Sequence, residues 1–224
     1  MIRLEHVTKT FVLKGQRKTV AHDISVDFPT GVTIGLLGRN GAGKTTLMQM
    51  IAGNMDPTSG RILSDGTISY PVGFQGSFHG DLTGAQNTRF VARLYGVDTG
   101  ALVDFVEEFA ELGGHFHLPF RTYSSGMKSR LSFGVSMGIP FDFYLVDEVT
   151  SVGDAAFRTK SRVVFLERME RAGALFVSHQ MAMVRELCEM GAVLENGKLE
   201  LYDDVDEAIE RHEDNMGSSP EGAE

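Results

Sequence analysis

The spacing of apolar residues along this chain changes twice, near residue 80 and again near residue 140. Before the first change the pattern is that of strands. Residues 2–7 alternate, and so do residues 20–28, through Val20, Ile24, Val26 and Phe28. Lys14-Gly15-Gln16-Arg17-Lys18 between them predicts a hairpin connection. The run Val32-Thr33-Ile34-Gly35-Leu36-Leu37 predicts a buried strand. Residues 46–52 predict a helix that ends near Gly53. Asp56-Pro57-Thr58-Ser59-Gly60 predicts a turn into a short strand over 61–63.

Between the two changes the period is helical. Residues 85–95 and 101–112 predict helices, the second with Leu102, Phe105, Val106, Phe109 and Leu112 on one face. A third helix is expected over 125–138. After residue 140, α and β segments alternate: strand 143–146, helix 155–171, strand 174–178, helix 181–190. Asn196-Gly197 between apolar residues predicts a hairpin turn. Residues 205–212 predict a short acidic helix. The expectation is an α/β domain over 1–212 with a helical subdomain inserted at about 80–140, and a disordered acidic tail over 213–224.

Chemistry enters between the strand at 32–37 and the helix at 46–52. The connection is Gly38-Arg39-Asn40-Gly41-Ala42-Gly43-Lys44-Thr45, with Thr46 opening the helix. Strand, glycine-rich loop, Lys-Thr and helix is the context of a phosphate-binding loop. Its glycines let backbone N–H groups converge on a phosphate, and the helix dipole adds to that field. In this reading Lys44 reaches the β- and γ-phosphates and the Thr45 hydroxyl ligates Mg²⁺. The four apolar residues before Asp147-Glu148 make a second station. Asp147 is expected to hold the metal, and Glu148 to orient or deprotonate an attacking water. Taken alone, two acids at a strand end are equally a solvated edge.

Composition narrows the class. Hydrophobic content of 42% with 23% charged residues indicates a globular chain. The net charge of −9 resides wholly in residues 200–224, which carry ten acidic side chains and one basic one, while residues 1–199 balance. No basic patch points to nucleic acid. Cys188 is the single cysteine, so no internal disulfide framework exists and a reducing compartment is expected. No apolar run is long enough to cross a membrane, and the N-terminus lacks the apolar segment of a signal peptide.

Further stations sit in a telling order. Tyr123-Ser124-Ser125-Gly126-Met127-Lys128 precedes the Asp147 strand, Ser151-Val152-Gly153-Asp154 follows it, and Ser178-His179 ends the next strand. Together they resemble the nucleotide-binding subunits of ATP-binding cassette (ABC) transporters over residues 1 to about 210. The resemblance implies a P-loop NTPase core with an antiparallel β subdomain and an inserted α-helical subdomain. It implies ATP and Mg²⁺ as cofactors and a head-to-tail homodimer. In that dimer Ser125, Gly126 and Met127, in the place of the signature motif, face the partner's nucleotide. His179 takes the place of the switch histidine, Gln75 of the Q-loop glutamine near the metal, and Phe11 of the aromatic that stacks on adenine. Ser124, Met127 and Lys128 depart from the family's Leu-Ser-Gly-Gly-Gln. Phe11 is also a fair core residue, and a Ser-Gly pair also begins many ordinary helices.

The stretches 123–131 and 146–158 are similar to the ATPases of capsular polysaccharide export in Gram-negative bacteria. O-antigen and teichoic acid exporters share the Ser-Ser-Gly-Met and Val-Gly-Asp features. The lack of room for a C-terminal sugar-binding domain favours the capsule branch. The resemblance implies permease subunits and envelope export machinery as partners, docked near residues 75–95, and a peripheral location on the cytoplasmic face of the inner membrane. A soluble, non-transport ABC ATPase is the other expectation.

Overall fold

The computed structural model describes residues 1–73, 76, 78–147 and 154–217. The chain divides into two compact units: Met1–Ile68, Asp142–Glu148 and Ala172–Glu224 form the first, Ser69–Phe141 and Val149–Arg171 the second.

The first unit holds two sheets. β1 (Ile2–Leu13) lies between β2 (Gln16–Phe28) and β4 (Ser59–Ser64), all antiparallel. The hairpin turn is confined to Lys14 and Gly15, both at positive φ. The strands are therefore longer than their apolar alternation predicts, because residues 8–12 and 16–19 pair through backbone while their side chains stay exposed or half-buried. The second sheet has the order β5-β6-β3-β7-β8. β3 (Thr33–Leu37), β5 (Phe143–Asp147), β6 (Gly173–Val177) and β7 (Met190–Glu195) run parallel, and β8 (Lys198–Tyr202) returns antiparallel. All five residues of β3 and β6 are buried, as expected of a parallel sheet covered on both faces.

Helices pack on this sheet at positions where glycine makes room. α6 (Met181–Leu187) crosses β3, where a Cβ on Gly35 would stand 2.8 Å from Val184. α7 (Val205–Gly217) lies on β7, where a Cβ on Gly191 would stand 2.1 Å from that of Ala208. Two predicted ends move. The helix expected to 190 stops at Leu187, and Met190 opens β7. The acidic helix does not end at 212, so Glu213 to Gly217 are helical rather than part of a disordered tail. The burial of Val205, Ala208 and Ile209 anchors that helix to the sheet. Residues 218–224 lie outside the described residues. Cys188 is buried, and burial pushes its thiol up to about 12.

The second unit is helical. α2 (Gly84–Tyr95) begins with a reciprocal cap: Gln86 N–H donates to Thr83 Oγ1 (3.1 Å) and Thr83 N–H donates to Gln86 Oε1 (2.9 Å). α3 (Thr99–Ala110) meets α4 (Ser125–Gly138) through Gly134 and Gly138, four residues apart. A Cβ on Gly138 would stand 2.4 Å from Leu102. Behind them Phe109 stacks on Phe105 and Phe133 and meets Phe157 edge-on. Phe157 belongs to α5 (Ala155–Met169), so this unit extends beyond the subdomain expected at 80–140.

Candidate nucleotide site

The phosphate-loop reading is specific about backbone, and the loop's geometry can be followed glycine by glycine. β3 is too buried to end in anything but a sharp turn. Gly38 takes φ 151°, and a Cβ there would lie 2.4 Å from the carbonyl oxygen of Leu194 on β7. Gly43 takes φ 111° and presses on Val20, whose Cβ would be 3.1 Å from an added Cβ. Both demand glycine, one by approach to backbone and both by conformation. α1 (Lys44–Ile51) then starts with Gly43 as N-cap, with no side-chain cap and no acid in its first turn. Its first N–H groups and its dipole thus present an uncompensated positive field to the cleft. Lys44 Nζ curls over the loop and donates to the carbonyls of Gly38 (2.6 Å) and Arg39 (3.1 Å).

One cleft of about 470 Å³ gathers the predicted stations of the first unit. Asn40, Gly41, Gly43, Lys44, Thr45 and Thr46 line it from the loop. Phe11 closes one end, and Asp147 and His179 reach it from the ends of β5 and β6. Asp147 owes its place to a pinned strand: the Asp142 carboxylate accepts from Thr67 N–H and Oγ1, both at 2.7 Å. Those bonds hold the Asp142 carboxyl below its ordinary range. Gly38, Arg39 and Ala42 shape the loop without lining the cleft. Gln75, Glu148 and Ser151, Val152 and Gly153 lie outside the described residues.

The donors fit Mg²⁺. Thr45 offers a hydroxyl and Asp147 a carboxylate in the same cleft, the hard oxygen ligands that this ion takes sparingly from protein. Phe11, 39% exposed, lines the cleft. Its ring carries Lys9 Nζ at 5.3 Å.

Ser125, Gly126 and Met127 belong to the second unit, at the start of α4. The N-cap is Ser124, whose Oγ accepts from Met127 N–H at 3.2 Å. Ser125 is the first helical residue, exposed, and among the described residues its hydroxyl makes no hydrogen bond. Among the described residues a Cβ on Gly126 would find only Ser124 Oγ, at 4.0 Å. Further along α4, Arg130 donates to Asp154 Oδ2 (2.6 Å) and stacks on Phe157 at 4.5 Å. Asp154 caps α5 by accepting from Phe157 N–H, which lowers its pKa.

Three participants were not singled out in the sequence. Lys18 and Val20 line the cleft from β2. His212 of α7 comes within electrostatic range of the loop. Its imidazole is held below its ordinary range, chiefly by burial and next by the Lys44 ammonium. Nothing local in the sequence marks His212.

A family model described as ABC transporter matches residues 21–151. The chain belongs to the ABC transporter family. Among curated relatives, this cassette is 45% identical to the polysialic acid transport ATP-binding protein KpsT of Escherichia coli, over 95% of this chain and 96% of that one. It is 43% identical to the capsule polysaccharide export ATP-binding protein CtrD of Neisseria meningitidis serogroup B, over 94% and 97%. Among solved structures, a dimeric ATP-binding cassette in a post-hydrolysis state bound to ADP and Pi superimposes with a TM-score of 0.75 at 19% identity. That match covers 92% of this chain and 99% of that one. The cassette fold is thus shared well beyond the range of sequence similarity. Among the described residues no helix is long and apolar enough to cross a membrane.

Proposed function

We propose that this cassette, acting as a homodimer, is the ATP-hydrolysing subunit of an ABC exporter that moves capsular polysaccharide across the inner membrane. The observation that carries the export reading is the 43–45% identity to capsule and polysialic acid transport proteins over almost the whole of both chains.

The chemistry follows from the cleft. Loop amides and the α1 N-terminus take the phosphates, and Lys44 leaves its loop carbonyls to reach the β- and γ-phosphate oxygens. Thr45 and Asp147 are the ligands that would hold Mg²⁺, with Gln75 the remaining candidate; when bound, the ion offsets charge on the transferring phosphoryl group. Glu148, next to Asp147, activates the water, and His179 steadies it against the γ-phosphate. Phe11 stacks on the base. The exposed Ser125 hydroxyl and the open approach to Gly126 support their service to a second copy's nucleotide rather than their own.

On α2, Phe90 and Leu94 are exposed one helical turn apart, at 52% and 64%. Apolar residues so placed support docking of this helix on a permease at the cytoplasmic face of the inner membrane.

Glu148→Gln is expected to retain ATP binding, to lose turnover by at least about 100-fold, and to accumulate an ATP-bound dimer on size-exclusion chromatography. Ordinary turnover in that variant removes Glu148 from its role. Deletion in the host should abolish surface polymer and leave polymer in the cytoplasm. Polymer still at the surface would overturn the capsule reading.

A further inference from the structure

We propose that Lys18 is a further nucleotide-binding residue, its ammonium taking the α-phosphate. The proposal rests on the nucleotide reading of the cleft. Lys18 lines that cleft together with Phe11, Val20 and Gly43. Its position follows from strand geometry. In the β1–β2 pairing Lys18 is the direct partner of Phe11, so it stands beside the aromatic platform. Val20, two residues on in β2, also lines the cleft and abuts the phosphate loop at Gly43. Two residues of strand span about 7 Å, which a flexible four-carbon stem can bridge. A nucleotide with its base on Phe11 and its β- and γ-phosphates at Lys44 passes its ribose and α-phosphate through this interval.

The neighbouring cations are already engaged. Lys9 Nζ donates to the carbonyl of Asp56 at 2.6 Å and covers the Phe11 ring. Lys44 serves the loop itself. Lys18 is exposed, and among the described residues it makes no hydrogen bond or ion pair. Its charge is therefore available to an anion in the cleft. A lysine at the α-phosphate strengthens binding of any adenine nucleotide without distinguishing ATP from ADP. It leaves discrimination of the γ-phosphate to the stations at the other end.

The test is isothermal titration of ATP, ADP and adenosine into the full chain, with thermal melts to verify folding. Lys18→Met should weaken ATP and ADP alike, by about three- to tenfold, the range of an exposed charge-assisted contact, and leave adenosine unchanged. Lys18→Arg should restore most of the loss. Arg17→Met, the same loss of charge on the opposite face of β2, should leave all three affinities as they are. Unchanged affinity for both nucleotides overturns the proposal. Loss confined to ATP overturns it by placing the lysine at the γ-phosphate, and an equal loss for adenosine overturns it in favour of packing against the base. Lys44→Ala separates this proposal from its premise. If the parent chain binds no ATP and Lys44→Ala behaves identically, the nucleotide reading of the cleft fails. If Lys44→Ala loses ATP while Lys18→Met keeps it, only the role of Lys18 fails.

Discussion

Gly38 and Gly126 sit in two motifs of the same site chemistry, yet they are glycine for opposite reasons. Gly38 is squeezed from within: its φ of 151° and the Leu194 carbonyl 2.4 Å from any Cβ make a side chain impossible without moving β7. Gly126 is not squeezed at all, since an added Cβ has its nearest neighbour at 4.0 Å. A glycine that its own chain does not require is explained by something arriving from outside. In the proposed dimer the phosphate loop is one half of a site, and the start of α4 serves the phosphates of a second copy.

Alanine at each glycine puts this contrast to its sharpest test. Gly38→Ala should lower stability by about 1–3 kcal/mol or prevent folding, through overpacking and backbone strain, and melting temperature reads it directly. Gly126→Ala should leave stability unchanged or raise it by less than about 1 kcal/mol, since alanine is the better helix former. Its ATPase rate should nonetheless fall at least about tenfold if the partner's nucleotide needs that space. Full turnover in Gly126→Ala would erase the contrast.

The adjacent serines divide in the same way with a smaller effect. Ser124 caps α4, so Ser124→Ala should cost about 1 kcal/mol of stability. Ser125 caps nothing, so Ser125→Ala should stay within about 0.5 kcal/mol and lower ATPase instead. Chemical denaturation alongside turnover assays separates the two, and a stability loss at Ser125 would reassign the cap.

The smallest effect concerns the back of the phosphate loop. Among the described residues His212 Nδ1 and Glu195 Oε2 are buried without hydrogen-bond partners. His212 is depressed below the ordinary histidine value of 6.5, first by burial and then by Lys44, while Glu195 opposes the shift. The sign follows. Above pH 6.5 the imidazole is neutral in both folded and unfolded chains and contributes nothing to the pH slope. As pH falls through 6.5 the unfolded chain takes up a proton that the folded chain resists, so stability declines. His212→Asn should therefore flatten the loss of stability below pH 6.5, measured by denaturant midpoints. Phosphates that neutralise Lys44 remove the second cause, so the His212 titration followed by NMR should move upward when ATP is added. A titration indifferent to ATP would detach α7 from the loop.

Much of this molecule was legible before its structure. The loop from Gly38 to Thr45 announces itself because a phosphate cradle needs contiguous residues, and contiguity is what a sequence displays. The buried strands at 33–37, 143–147 and 173–177 were evident because parallel strands covered on both faces are uninterrupted apolar runs. Less legible were the strands β1 and β2 beyond their alternating halves, whose pairing is backbone chemistry with no apolar signature. The helix at 205–217 outran its expected end, because the buried anchor Val205, Ala208 and Ile209 lies in its first half and the polar remainder simply continues.

The sequence by itself determined the chemical inventory: a glycine-rich loop ending in Lys-Thr, an aspartate at a strand end, a histidine at the next strand end, and a Ser-Gly helix start in a diagnostic order. Only the tertiary structure decided which of these share a cleft. Phe11, Lys44, Asp147 and His179 are separated by up to 168 residues in the chain; the last three converge because β3 pairs with β6, and β6 with β5, out of chain order, and Phe11 joins them from β1 of the other sheet. It also decided what no periodicity records, that Lys18 faces the cleft and His212 lies behind the loop. Side-chain direction and long-range proximity are set by register and packing, which distant residues fix jointly.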